Sequence, residues 1–195
     1  MPGMPCLYYG DELGMGDWPG LRDRDPNRTP MAWTPARNGG FSTAPDPLLV
    51  LPPITAPGYD YRVVNVEVQK QLPGSLLNWH RRMLTCRRLL PALRSGGFRL
   101  LSCAHPGVIV YVRSTEAMTV LVAGNVTAAG ASISLDLSDW DGERTREVMW
   151  GCEFPEASSS WFVYLPAYGF NWWLIGEVDA EVAAEVESEP FMPQG

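Results

Sequence analysis

The sequence predicts an α+β chain in two parts, an irregular first half closed by one amphipathic helix and a second half that is an antiparallel all-β sandwich. Three observations carry this expectation. Residues 1–74 are rich in Gly, Pro and aromatic side chains, with the short apolar run Cys6-Leu7-Tyr8-Tyr9 near their start. Residues 75–93 repeat apolar side chains at spacings of three and four, the helical period. From Phe98 onward the period falls to two, with turn residues between the runs.

Each element has a local reason. Cys6–Tyr9 lies between Pro5 and Gly10, the form of a short strand buried on both faces. Thr43–Gly58 contains Pro45, Pro47, Pro52, Pro53 and Pro57. Proline removes an amide donor and fixes φ, so neither a long helix nor a central strand fits there. A loop of this length in a compact domain is usually functional or poorly ordered. Ser75 is placed to cap the helix after Pro73-Gly74. Leu76, Trp79, Met83, Cys86, Leu90 and Leu93 form its apolar face, leaving Arg81, Arg82, Arg87 and Arg88 mainly on the solvated side. Gly96-Gly97 ends the helical region. Strands are expected at Arg99–Ser102, Val108–Arg113, Thr119–Gly124, Ser132–Leu137, Arg146–Trp150, Trp161–Leu165 and Phe170–Ile175. The boundaries that follow are 1–97, 98–176 and an acidic tail, 177–195.

Composition excludes several classes. The 195 residues carry a formal charge of −7, and six of the acids (Glu177, Asp179, Glu181, Glu185, Glu187, Glu189) sit in the tail. A nucleic-acid partner would need a basic stripe, which is missing from this balance. Cys6, Cys86, Cys103 and Cys152 are widely separated and the two histidines, His80 and His105, are unclustered. No metal site follows, because zinc ligands come in close pairs; free core thiols are the better reading. No glycine-rich phosphate loop or other cofactor motif is present. There is no signal-peptide pattern and no apolar run of about 20 residues, so a cytoplasmic location is expected.

A family resemblance becomes specific in PGMPCLYYGDELGMGD (2–17), RDRDPNRTPMAW (22–33), NGGFS (38–42), YDYRVVNVEVQ (59–69), SLLNWHRRMLTCRRLLPAL (75–93) and YLPAYGFNWWLI (164–175). In this order they resemble the C-terminal portion of glycoside hydrolase family 13, the α-amylase family, and within it the trehalose synthase branch. Oligo-1,6-glucosidases share the RTPM…W and GF signatures. The resemblance implies the last β/α unit of a TIM barrel followed by the family's C-terminal β-sandwich. It also implies maltose isomerisation to trehalose by a retaining mechanism in the parent enzyme, whose catalytic Asp, Glu and Asp have no counterparts in this chain. No catalytic residue is therefore expected here. Alternatives left open are a glucosidase fragment, or a sandwich module that docks a maltokinase, contacts a second copy or binds α-glucan. Where the family usually has Gln after RTPM this chain has Ala32, and Gly39 stands in place of a usual Ala.

Loops behind barrel strands line the pocket, so Tyr9, Asp11, Glu12 and Arg28 are the candidate substrate-binding residues. Arg28 leads, because a guanidinium fork can hold carboxylates or hydroxyls in a bidentate manner. A competing expectation pairs Asp11 and Glu12 with Arg22, Arg24 or Arg28. Tyr8, Trp33 and Phe41 offer flat faces to a sugar, with packing as the alternative. Trp140, Trp150, Trp161, Trp172 and Trp173 are expected to fill the β core rather than form a starch-binding surface.

Overall fold

A computed structural model describes residues 3–148 and 152–177. Trp150 and the expected tail beyond Glu177 lie outside these residues. The chain divides into two compact units that part between Arg81 and Arg82, with Gly3 grouped with the second. The sequence expectation had placed the boundary at 97/98.

The first unit is held by turns and side-chain stitches more than by regular structure. Short 3-10 turns occupy Asp11–Leu13, Asp25–Asn27, Arg37–Gly40 and Asp46–Leu48, followed by α1 (Val66–Gln71) and the start of α2 (Leu76–Leu89). Its buried apolar cluster is small: Leu13, Met31 and Leu77, flanked by Met15, Val64 and Val66. Polar residues complete it. The fully buried Asn65 caps α1, its Oδ1 accepting from Val68 N at 2.9 Å while its Nδ2 donates to Tyr61 O at 2.9 Å. Gln69 Nε2 donates to Leu13 O at 2.7 Å, and Gln69 Oε1 accepts from Leu77 N at 3.0 Å. One amide thus joins the Asp11–Leu13 turn to the N-terminus of α2.

Two expectations fail in this unit. Cys6–Tyr9 forms no strand, and its side chains lie exposed, with Leu7, Tyr8 and Tyr9 between 43% and 48% accessible. A strand exists by pairing with a neighbour, and no described segment runs alongside this one. Cys6 is accordingly an exposed thiol, as is Cys152; only Cys86 is a buried core thiol. The helical segment α1 was absent from the sequence reading. The proline-rich loop contributes one anchor, Ile54, which is 2% exposed and whose carbonyl accepts from Tyr61 N.

The second unit is layered. From Arg82, the remainder of α2 is followed by α3 (Pro91–Ser95), then β1 (Gly97–Leu100), β2 (Val108–Ser114), β3 (Thr119–Asn125), β4 (Ala131–Leu135), β5 (Thr145–Glu147), β6 (Glu153–Phe154), β7 (Trp161–Leu165) and β8 (Phe170–Ile175). Six strands form one antiparallel sheet in the order β1-β2-β3-β8-β5-β6, and β4 pairs with β7 in a second. One face of the large sheet packs Val110, Val112, Leu121, Trp173 and Ile175 against Ile133, Leu135, Trp161, Val163 and Leu165 of the small sheet. The other face packs Val120, Val122 and Leu174 against Cys86, Leu90, Ala92 and Leu93. Covered on both sides, β3 is buried at five of seven positions, whereas β4 and β7 alternate buried and exposed as half-buried strands do.

The predicted long helix breaks at Leu90, because Pro91 cannot continue the backbone ladder and starts α3 instead. Leu76 is exposed and Leu77 takes the inward position. Arg82, expected on the solvated face, is 4% exposed and donates to Val148 O at 3.2 Å. The sequence placed β1 two residues too late, and β6 was not foreseen. No described helix is long and apolar enough to cross a membrane.

Candidate functional site

The site residues are organised by the Gly10 turn. Gly10 has φ +94°, and a Cβ there would meet Met15 Sδ at 2.8 Å, so glycine alone suits the position. Around it, Asp11 Oδ2 accepts from Tyr8 N at 3.0 Å and Glu12 Oε2 accepts from Gly10 N at 2.9 Å. Both carboxylates are committed to their own turn. Neither forms a described ion pair with Arg22, Arg24 or Arg28, contrary to the pairing expectation; loop amides are closer and need no long side chain to be ordered.

Tyr9 is the hinge of the site. Its hydroxyl donates to Thr29 O at 3.1 Å, and its ring lies 4.6 Å from that of Tyr8. Burial of its phenol end against Thr29 pushes the Tyr9 pKa up, the neighbouring Tyr8 phenol adds to this, and the Arg28 cation opposes it. On one side, Tyr9 and Arg28 join Met31, Trp33, Phe41 and the Leu48–Leu51 run around a cavity of about 620 Å³. On the other, Tyr9 and Tyr8 join Asp11, Asp17, Asn27 and Thr29 around a polar cavity of about 300 Å³.

The structure therefore brings Tyr9 and Arg28 to one pocket and Tyr9 and Asp11 to another, while Glu12 lines neither. Trp33 and Phe41, each about half exposed, line the larger cavity. The loop carrying Phe41 is set by Asn38, which has φ +55° and donates from Nδ2 to Ser42 O at 3.0 Å and Ala44 O at 2.9 Å. Gly39 follows at φ +67°, a conformation that the usual Ala would strain. Ala32 is buried and its carbonyl accepts from Val66 N at 3.0 Å, tying this segment to the start of α1. The sequence reading missed Leu48–Leu51; the signal was an apolar run held between prolines.

What the arrangement can do is bind. An apolar, aromatic-walled cavity with one guanidinium at its edge suits a ligand with a flat apolar face and polar rim. Among the described residues, no group of three or more His, Cys, Asp or Glu converges to hold a metal ion.

A loop-built pocket wall closed by helices and followed by an antiparallel sandwich matches the C-terminal organisation of a sugar-processing barrel enzyme. The family models agree: the α-amylase catalytic domain matches residues 1–96 and the maltogenic amylase C-terminal domain matches 98–172. The chain belongs to the α-amylase family. It is similar to the trehalose synthase/amylase TreS of Mycobacterium tuberculosis strain H37Rv, 45% identical over 176 residues, covering 88% of this chain and 29% of that protein. It is also similar to the trehalose synthase of Pimelobacter sp., 41% identical, covering 92% of this chain and 32% of that one. The chain thus spans about a third of these relatives, matching their C-terminal part. Among solved structures, a trehalose-6-phosphate hydrolase of Bacillus licheniformis superimposes with a TM-score of 0.71 at 20% identity over 91% of this chain and 37% of that one. That likeness establishes the fold, the end of the barrel plus the sandwich.

Proposed function

We propose that this chain is the C-terminal portion of a trehalose synthase-like enzyme, contributing a pocket wall and the sandwich module to maltose isomerisation by intramolecular glucosyl transfer. The identity of 45% to a trehalose synthase, running through both units, carries this reading. We further infer that the chain by itself breaks no glycosidic bond. A retaining mechanism needs two carboxyl groups on opposite sides of the scissile bond, about 5–5.5 Å apart. Asp11 and Glu12 are neighbours on one turn, each hydrogen-bonded to it, and no described carboxylate lines the larger cavity, where Tyr9 and Arg28 meet. In this reading Arg28 and Tyr9 position the sugar, Trp33 and Phe41 shield it, and Asp11 and Glu12 hold the turn that aims Tyr9.

Two experiments test it. Purified chain incubated with maltose is expected to yield neither trehalose nor glucose; release of either overturns the inert reading. A chimera in which this chain replaces the matching part of the Pimelobacter enzyme is expected to form trehalose. Glucose as the only product would instead favour the glucosidase reading.

A further inference from the structure

Asn38 and Gly39 tie together both aromatic walls of the larger cavity. The Asn38 carbonyl accepts from Phe41 N at 3.1 Å, and the Gly39 carbonyl accepts from Trp33 N at 2.8 Å and Thr34 N at 3.0 Å. The Asn38 side chain adds a second hold. It is 5% exposed, and its Nδ2 donates to Ser42 O at 3.0 Å and to Ala44 O at 2.9 Å. Ser42 Oγ in turn accepts from Ala44 N at 3.1 Å. Phe41, Ser42 and Ala44 all line the cavity, so one buried amide sets the backbone of this wall.

The residue type follows from two demands. Two carbonyl oxygens face the amide, so only a donor with two hydrogens satisfies both, and a φ of +55° suits few residues besides Gly, Asn and Asp. Asp would turn an oxygen toward those carbonyls, and Gly reaches neither. Asn meets both demands. The other tie on this loop, the Arg37–Asp46 ion pair at 2.8 Å, is exposed on both sides and holds little. Phe41 and Leu48 are more than half exposed, so packing does little to keep the wall in place without the amide.

We propose that Asn38 is a positioning residue for glucosyl transfer, holding the Phe41 wall so that it keeps water from the sugar until the released glucose becomes the acceptor. This rests on the function proposed above. In the transfer step the anomeric carbon parts from the enzyme carboxylate and bonds a hydroxyl oxygen of that glucose, whose proton passes to the acid/base carboxyl. Water in its place makes the same exchange and gives a second glucose. A loosened wall thus changes which acceptor wins, not how fast the glycosidic bond is first broken.

The test has two arms. Hydrogen exchange read by mass spectrometry on the whole chain compares wild type with N38G, which keeps the left-handed backbone and deletes only the amide. Exchange across 39–45 is expected to become roughly tenfold faster, with the amides of Tyr61, Val66 and Gly97–Ile175 protected as in wild type. Unchanged exchange across 39–45 overturns the proposal. Loss of protection at Tyr61 and Val66 also overturns it, because Asn38 would then hold the whole unit and not the wall. In the Pimelobacter chimera, N38G and N38D are expected to raise the ratio of glucose to trehalose at least roughly fivefold while maltose consumption stays within about threefold. Arg37→Ala, which breaks the exposed pair, should leave that ratio at the wild-type value. A fall in both products at a fixed ratio overturns the positioning role. A chimera with Asn38 intact that forms no trehalose overturns the proposed function instead, and the exchange arm, which needs no catalysis, still decides whether Asn38 holds the wall.

Discussion

Replacing Leu121 with Ala should cost the sandwich a large part of its stability. Leu121 is fully buried in β3, paired with Val112 on one side and Trp173 on the other, and shares a core with Leu135 and Leu165. Backbone ladders on both flanks and rigid neighbours leave little room for the void to collapse, so the cost belongs in the usual buried-leucine range of about 3–5 kcal/mol. Domains hold only about 5–15 kcal/mol in total. For a unit of about 100 residues each kilocalorie lowers the melting temperature by roughly 4–8 °C, so the expected fall is roughly 12–40 °C. Near-ultraviolet circular dichroism reads this core specifically, because Trp161 and Trp173 meet edge to face with centroids 5.1 Å apart. A Val50→Ala control, at a residue 96% exposed, should leave the melt unchanged. A fall of less than about 5 °C in L121A would refute the layered core, since a loss that small belongs to surface positions.

Limited proteolysis of the whole chain should cut first between Met4 and Gly58, whose unit has three buried members in its apolar cluster, and spare Gly97–Ile175; early cleavage inside β2 or β3 would contradict this. The Asp136 carboxyl is held below its ordinary range by the Ser138 hydroxyl and then by the Ser138 amide at 3.0 Å. A lowered folded pKa means that this contribution is present above the ordinary carboxylate range and lost as pH falls through the folded value; Asp136→Asn should flatten that acid limb in melts recorded from pH 6 downward. Gly130→Ala should displace the Tyr164 ring, whose Oη would lie 2.1 Å from the new Cβ, without touching the core, so the melting temperature should move by no more than a few degrees; a larger fall would show that the seating of this ring supports the sheet.

The sandwich was legible wherever one face is wet. Ser132-Ile133-Ser134-Leu135 alternates because β4 has solvent on one side, and its predicted span differs from the observed one only at the ends. Trp161–Leu165 and Phe170–Ile175 appear as expected. The failures have physical causes. Apolar spacing runs straight through Leu90-Pro91, so periodicity alone joined α2 to α3, although the proline marked the break. Arg82 reads as a surface cation until the sheet supplies Val148 O as an acceptor. The two-residue β6 is too short to carry a period. At the site, the aromatic and arginine candidates were readable by type, but the use of Asp11 and Glu12 as turn locks depends on distances to Tyr8 N and Gly10 N that composition does not encode.

Cys6–Tyr9 shows why local pattern and fold can disagree without either being misread. An apolar run between Pro5 and Gly10 specifies a segment suited to burial on two faces, but pairing is a property of neighbours. With Leu7, Tyr8 and Tyr9 open to solvent, the same residues would supply an unpaired edge that invites another strand. The turn that follows does not wait for such a partner: Asp11, Glu12 and the Tyr9–Thr29 bond already fix it. Hence Tyr9 and Arg28 can be pre-set at the pocket while the strand before them is not, and a binding wall can persist where the two-sided geometry demanded by bond cleavage does not.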